Sequence, residues 1–212
     1  MRLVYIIIIM YNIMITIIIG GPSGSGKTTL CNNLDKYKNI KCYDNDDIVS
    51  DSFFTIYKKN KKENKKFWKM VDNLTTKKIN TIYNKNKKEK TKILIFVGSQ
   101  KMPQSIYDNA SYFYIIKITD YKKTYKRRIL RDYEKIHTNY NKIKCFANKD
   151  NIENLMTMIN HGLMINTELP YYKDWITNIK NYYSMVKQKW KINNIYTSKI
   201  ILNKILKLSN KY

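Results

Sequence analysis

The sequence predicts an α/β protein in three layers, with about five mostly parallel strands between helices. Short apolar runs typical of buried strands alternate with helical patterns; they lie near residues 13–19, 40–43, 92–97, 111–118 and 194–197. A strand, a crossing helix and a further strand form a right-handed unit whose strands are parallel. In addition, four of the six glycines fall within residues 20–26, directly between the first strand and a helical pattern.

The first predicted strand is the end of a longer apolar run, residues 3–19. That run approaches the length of a membrane span, about 20 residues. However, the glycine-rich turn follows at once, so Ile13–Ile19 is needed as the strand that leads into it. A membrane anchor is therefore the less favoured alternative. Residues 1–12 are either an extra strand or an extension ahead of a true start at Met14; a single domain is expected over residues 1–212.

The first helix is predicted from Lys27 to about Tyr37, because Leu30 and Leu34 share one face. After the second strand, residues 52–91 are polar and rich in lysine, yet they carry the apolar spacing of two or three helices. Their lysine runs contain no glycine or proline. We therefore expect a basic helical insert between the second and third strands, not a disordered linker.

The third strand ends at Gly98, and the fourth is followed by a helix that Thr119 or Asp120 can cap. Residues 132–192 alternate helical patterns with loops. The last strand precedes a closing helix, Ser198–Leu208, with apolar residues on one face.

The glycine-rich turn has the pattern G-x-x-x-x-G-K-T. Its residues are Gly21, Pro22, Ser23, Gly24, Ser25, Gly26, Lys27 and Thr28, followed by Thr29. Between a strand and a helix, this pattern is typical of a loop whose backbone N–H groups surround the phosphates of a nucleotide. Lys27 would reach the β- and γ-phosphates, and the Thr28 hydroxyl would hold Mg²⁺.

The formal net charge is +24, and only four of the 40 basic residues are arginines. Lysine, asparagine, isoleucine and tyrosine are abundant together, as an AT-rich coding sequence produces, so the lysines are interpreted first as solvated surface. A polyanionic partner such as nucleic acid is the alternative. Arg127, Arg128 and Arg131 lie in one short window, which favours a site for the planar guanidinium group.

The three cysteines, Cys31, Cys42 and Cys145, show no paired or metal-type spacing. We therefore expect free thiols and a reducing compartment, the cytoplasm.

The glycine-rich start, the acids after the second strand and the pair Arg128-x-x-Arg131 resemble the P-loop kinases of the nucleoside-monophosphate-kinase group, which includes adenylate, shikimate and gluconate kinases. The resemblance implies a P-loop fold, a substrate-side insert at residues 52–91 and a helical lid within residues 127–192. It also implies phosphoryl transfer from ATP, with Mg²⁺, to a small acceptor. The signatures of guanylate kinases and of transporter ATPases are missing.

The acids after the second strand would share a cleft with the glycine-rich turn, since the carboxyl ends of parallel strands meet at one edge. One carboxylate would orient or deprotonate an acceptor hydroxyl while another contacts Mg²⁺, and Asp44 and Asp46 are favoured over Asp47. Alternatively, Asp44 or Asp46 caps the following helix. Because the third strand ends in Gly98 and not in an aspartate, Mg²⁺ would depend on Thr28 and these acids.

Arg131 can share a helix face with Arg127 or with Arg128, by i,i+4 and i,i+3 spacing. Neighbouring cations repel unless an anion lies between them, which transferred phosphate would supply; a solvated basic face is the alternative. Arg127 is expected at the nucleotide. The residues expected to take part in catalysis are Lys27, Asp44, Asp46, Arg128 and Arg131.

Two further functions stay open at this point. The basic insert would also suit a polynucleotide kinase, because lysines can follow a nucleic-acid backbone. A non-catalytic nucleic-acid-binding protein that ATP switches between conformations would share the same loop. The identity of the acceptor and the oligomeric state have no signal in the sequence.

Overall fold

The computed structural model describes residues 14–60, 65–98, 102–128, 130, 172–188 and 191–211. Within them, five strands form one sheet: β1 (Ile15–Gly20), β2 (Ile40–Asp44), β3 (Ile93–Val97), β4 (Tyr112–Ile116) and β5 (Ile195–Tyr196). They lie in the order β2-β3-β1-β4-β5, and every neighbouring pair is parallel. The predicted parallel α/β sheet is confirmed.

Seven helices lie within the described residues: α1 (Lys27–Leu34), α2 (Asn45–Asn60), α3 (Lys65–Lys88), α4 (Gln104–Asp108), α5 (121–128), α6 (Tyr172–Gln188) and α7 (Ser198–Ser209). Helices α1 and α7 cover one face of the sheet, where they pack on Ile93, Ile95 and Val97 of β3. Helices α3 and α4 cover the opposite face, where they pack on Leu94 and Phe96. Since β3 is buried on both faces, it reads as a continuous apolar run.

Strand β1 occupies the centre of the sheet, between β3 and β4. From β1 the chain crosses beyond β3 to form β2, returns to β3, and then passes to the other side for β4. The carboxyl end of β1 is therefore the point where crossovers diverge to either side, which is where parallel sheets open a ligand-binding crevice.

The helical insert is confirmed, but its predicted start at residue 52 is wrong, because α2 begins at Asn45 directly after β2. The reason is local: Asp44 Oδ1 accepts the Asp46 N–H at 3.0 Å, so the last residue of the strand acts as the cap of the helix. Farther along, α2 and α3 are joined by a buried cluster that includes Phe53 and Phe67, whose rings meet edge to face.

Helix α1 ends at Leu34 and not near Tyr37, and the expectation of free thiols is wrong for two of the cysteines. Cys31 on α1 and Cys42 on β2 form a disulfide, with Cα atoms 5.4 Å apart. The turn between helix and strand folds them together, although 11 residues separate them in sequence. Cys145 lies outside the described residues.

No helix in the described part of the chain is long and apolar enough to cross a membrane. The extension predicted at residues 1–12 lies outside that part, as does most of the region 127–192 that was assigned to a lid.

Helix α6 is attached to the carboxyl edge of the sheet by two adjacent tyrosines. The Tyr183 hydroxyl accepts the Ile118 N–H at 2.8 Å and donates to the Ile116 carbonyl at 3.0 Å. The Tyr182 hydroxyl is hydrogen-bonded to the backbone of Gly21. Burial raises the pKa of each tyrosine to about 12, although these backbone hydrogen bonds lower it in part. Both phenols therefore stay neutral over the ordinary pH range.

The raised tyrosine pKa values predict a loss of stability in alkali. Tyrosines in the unfolded chain lose their protons near the ordinary pKa of 10.0, whereas Tyr182 and Tyr183 in the folded chain keep theirs until about 12. The two neutral phenols therefore contribute their full stabilisation of the fold below pH 10.0, and this contribution is lost as pH rises through about 12. Urea unfolding at a series of pH values should show this fall, and replacing both residues with phenylalanine should reduce it.

Tyr37→Phe is the matched control, since Tyr37 is exposed. An alkaline fall in stability of the same size in the double variant and in the wild type would contradict the assignment.

Candidate active site

The glycine-rich loop lies between the end of β1 and the start of α1, at the crevice described above. Gly24 and Gly26 have positive φ values, 82° and 91°, and Gly26 is the residue that precedes α1. A Cβ on Gly24 would lie 3.2 Å from Thr124 Cγ2 of helix α5. The loop therefore favours glycine at both positions. At Gly26 the reason is the backbone conformation alone, and at Gly24 it is also the close approach of α5.

Lys27 turns back across this loop. Its side chain is buried, with 7% exposed, and its Nζ donates to the carbonyls of Gly21 at 2.8 Å and Pro22 at 3.2 Å. A buried ammonium needs such partners, because burial without hydrogen bonds disfavours the charged form. The positive charge is thus held at the loop beside the N-terminus of α1, where an anion is also favoured by the helix dipole.

Thr28 and Asp44 connect the loop to the second strand. Thr28 Oγ1 donates to Asp44 Oδ2 at 2.7 Å, and the other carboxylate oxygen accepts the N–H of Asp46. The two interpretations of Asp44, as a helix cap and as a functional acid, are therefore compatible: each of its oxygens makes a different hydrogen bond.

The donors at this point suit Mg²⁺, which takes hard oxygen ligands and binds through one or two carboxylates together with substrate phosphates. A hydroxyl and a carboxylate are already adjacent at Thr28 and Asp44. No group of three or more His, Cys, Asp or Glu side chains that could hold a metal occurs among the residues that the structure describes.

Gly98, at the end of β3, lets the start of α2 approach the sheet. A Cβ at this position would lie 2.8 Å from the Cβ of Asn45 and 3.6 Å from Asp46 Oδ1. Asp46 therefore lies above the end of β3, the strand next to β1. Asp47 instead lines a separate groove between α2 and α3, together with Asp51.

Asn45 was missed by the sequence analysis. Its side chain is fully buried, with 0% exposed, and neither amide atom has a hydrogen-bond partner within the described structure. Such a group is costly to bury, so it marks the junction of β2, β3 and α2 as a place under functional or structural constraint. In the sequence, only its position between Asp44 and Asp46 could have pointed to it.

A cavity of about 350 Å³ opens beside the loop. Gly24, Ser25, Gly26 and Thr29 form one wall. The residues after β4 form the second wall, and the start of α7 forms the third; they are Lys117, Ile118, Thr119, Asp120, Thr197, Ser198 and Lys199. Asp120 Oδ1 accepts the Lys123 N–H at 2.9 Å, which confirms it as the cap of α5.

The arginines of α5 take different positions. Arg127 lines the cavity, whereas the Arg128 Cβ lies 3.5 Å from the position of a Cβ on Gly24. Both are thus next to the loop, on adjacent parts of the helix surface. Arg131 lies outside the described residues, so the sharing of a face that was expected for it stays a prediction.

Comparisons with known proteins found similar solved structures and one matching family model. Three similar solved structures are shikimate kinases. That from Aquifex aeolicus has 16% identity, covers 92% of this chain and 96% of its own, and gives a TM-score of 0.44. That from Acinetobacter baumannii, in complex with shikimate, has 14% identity, coverage of 95% and 96%, and a TM-score of 0.43. That from Bacteroides thetaiotaomicron has 12% identity, coverage of 82% and 99%, and a TM-score of 0.35.

No curated protein matches the chain. A family model described as an AAA domain matches residues 17–151, well over half of the 212 residues. The matched range contains the glycine-rich loop, the acids after β2 and the pair Arg128-x-x-Arg131, on which the resemblance to P-loop kinases rests. The chain therefore belongs to the AAA domain family of P-loop proteins.

Proposed function

We propose that this protein is a kinase that uses ATP and Mg²⁺ to phosphorylate a small acceptor, itself phosphorylated or nucleotide-like. The hydrogen bond between Thr28 and Asp44 is the observation that carries the proposal. It places an acid from the second strand at the loop that would hold the phosphates. An acid at this place would help to hold Mg²⁺ against the phosphates, and phosphoryl transfer requires that charge neutralisation.

Two adjoining surfaces would suit the two ends of a nucleotide. Its phosphates would lie at the glycine-rich loop, where Lys27 and the N-terminus of α1 supply positive charge. Its nucleoside would occupy the adjoining cavity of about 350 Å³, which Arg127 and Ser198 also line. When bound, Mg²⁺ would be held by Thr28 and Asp44 and would neutralise phosphate charge.

Transfer requires that the acceptor oxygen attack the γ-phosphorus as the bond to the bridging β–γ oxygen breaks. The acceptor proton must pass to a base. We assign this role to Asp46, because it lies above the end of β3 and its neighbour Asp44 is already engaged by Thr28. Arg128 and Arg131 would stabilise the charge on the transferred group, and Arg128 is already next to Gly24.

Lys27→Ala should weaken the binding of ATP–Mg²⁺ by about 10- to 100-fold, since a hydrogen bond to a charged group contributes about 1.5–3 kcal/mol. Calorimetric titration of the purified protein would measure this change. The control is Lys36→Ala, which removes an exposed lysine just after α1 and should leave the affinity unchanged. Equal affinity of Lys27→Ala and the wild type would refute the assignment of the loop.

Asp46→Asn should lower kcat by about 10²- to 10⁴-fold, the usual contribution of a general base. The affinity for ATP should stay close to that of the wild type, because Mg²⁺ and the phosphates are assigned to the loop, Thr28 and Asp44 and not to Asp46. Asp47→Asn is the matched control, since Asp47 is exposed and lines the separate groove. If both variants retain full turnover with the acceptor, Asp46 is not the base.

The alternative of a polynucleotide kinase has one supporting observation, a row of exposed lysines along α3. They are Lys65, Lys66, Lys69, Lys77, Lys85, Lys87 and Lys88. A panel of acceptors with labelled ATP, repeated at several salt concentrations, separates the two functions. For the proposed function, we expect labelling of a nucleotide-sized acceptor that changes little with salt.

Labelling of an oligonucleotide that falls steeply as salt rises would instead favour the alternative, because contacts to many phosphates release counterions. Bound ATP with no labelled acceptor of any kind would favour a non-catalytic protein.

A further inference from the structure

The disulfide between Cys31 and Cys42 joins the same two elements as the hydrogen bond between Thr28 and Asp44. Cys31 lies on α1, three residues after Thr28, and Cys42 lies on β2, two residues before Asp44. Residues three apart on a helix, and residues two apart on a strand, lie on the same face of their element. The disulfide and the hydrogen bond are thus neighbouring links between α1 and β2.

Strand β2 is held at its start by Ile40, which packs with Leu30 and Leu34 of α1, and on the side of α3 by a hydrogen bond from the Asn86 amide to the Tyr43 hydroxyl at 3.3 Å. It is an edge strand, paired within the described sheet only with β3. On the side of α1, the Cys42 N–H donates to Asp35 Oδ1 at 3.1 Å, just after the helix. At the level of Cys42, β2 is therefore positioned by its ladder with β3, by the hydrogen bond to Asp35 and by the disulfide.

We infer that Cys31 and Cys42 form a reversible dithiol–disulfide site that controls how firmly Asp44 is held against Thr28, and hence the concentration of Mg²⁺ that nucleotide binding requires. The inference rests on the proposed function for the role of the Thr28–Asp44 pair. With the disulfide formed, α1 and β2 are held together covalently. With both thiols reduced, the edge strand can shift relative to the helix, and the two oxygen donors are less well ordered.

The two cysteines differ in exposure, and this difference sets which thiol reacts first in thiol–disulfide exchange. Cys31 is buried, with 4% exposed, while Cys42 is partly exposed. The Cys42 thiolate would attack one sulfur of a small disulfide such as glutathione disulfide and release one molecule of the thiol. The Cys31 thiolate then attacks the Cys42 sulfur of the mixed disulfide and releases the second. The protein loses two hydrogens in total, and one glutathione disulfide becomes two glutathione molecules.

The test compares oxidised and reduced protein in a Cys145→Ser background, which removes the third thiol. Intact mass, measured after thiol alkylation, reports whether the disulfide has formed. Titration of Mg²⁺ at a fixed concentration of ATP then gives the Mg²⁺ concentration for half-maximal nucleotide binding. We expect this concentration to be about 10-fold higher in the reduced protein, the lower end of the effect of losing a group that orients a metal ligand.

Two controls separate this role from a purely structural one. Any disulfide stabilises the fold, so reduction should lower the urea midpoint in either case. Only the proposed coupling also changes the Mg²⁺ requirement while the affinity for ATP without Mg²⁺ stays the same. The double variant Cys31→Ser, Cys42→Ser should behave as the reduced protein under both conditions; if it does not fold, the reduced protein with native cysteines gives the same comparison.

Three results would overturn the inference. If glutathione disulfide does not form the bond in folded protein, the site is not reversible. If the bond forms but the Mg²⁺ requirement is equal in both states, the disulfide is structural and the proposed kinase function stands. If neither state binds ATP–Mg²⁺, the proposed function fails and the inference fails with it.

Discussion

The hydrogen bond between Thr28 and Asp44 is the contact on which the rest of the site depends. It joins Thr28, which follows the loop at the end of the central strand β1, to Asp44 at the end of the edge strand β2. Strand β3 lies between those two strands. Each partner is fixed by its own element: Thr28 by the first turn of α1, and Asp44 by its role as the cap of α2. A single short contact therefore couples the phosphate side of the crevice to the insert on its other side.

The loop itself is supported from two directions. On one side, α5 packs so close to Gly24 that a Cβ there would lie 3.2 Å from Thr124 Cγ2. On the other, α6 reaches Gly21 through the Tyr182 hydroxyl, while the adjacent Tyr183 binds the backbone after β4. The two hydroxyls are uncharged hydrogen-bond partners, so they hold the backbone without competing for the anion that the loop is built to bind.

Sequence patterns predicted the parts of this structure that depend on local chemistry. Apolar runs gave the strands, since buried parallel strands are apolar on both faces, and the glycine pattern gave the loop because its backbone conformations exclude other residues. The start of α2 was left open between two interpretations, because a helix cap and a functional acid use the same residue types. The Cys31–Cys42 bond and the Tyr183 contact, 65 residues from its partner Ile118, were missed because tertiary packing leaves no periodic signal.

The position of Lys27 has a consequence for the selectivity of the site. Its ammonium is already removed from water and bound to two carbonyls of its own loop, so folding, not binding, has ordered this long side chain. An incoming anion therefore meets a cation that has little conformational entropy left to lose. The same arrangement also sets a threshold, because the anion must compete with two neutral carbonyl acceptors. For the proposed function, a highly charged polyphosphate would compete better than a weak, singly charged anion, so the loop would favour it before any contact with the rest of the ligand is made.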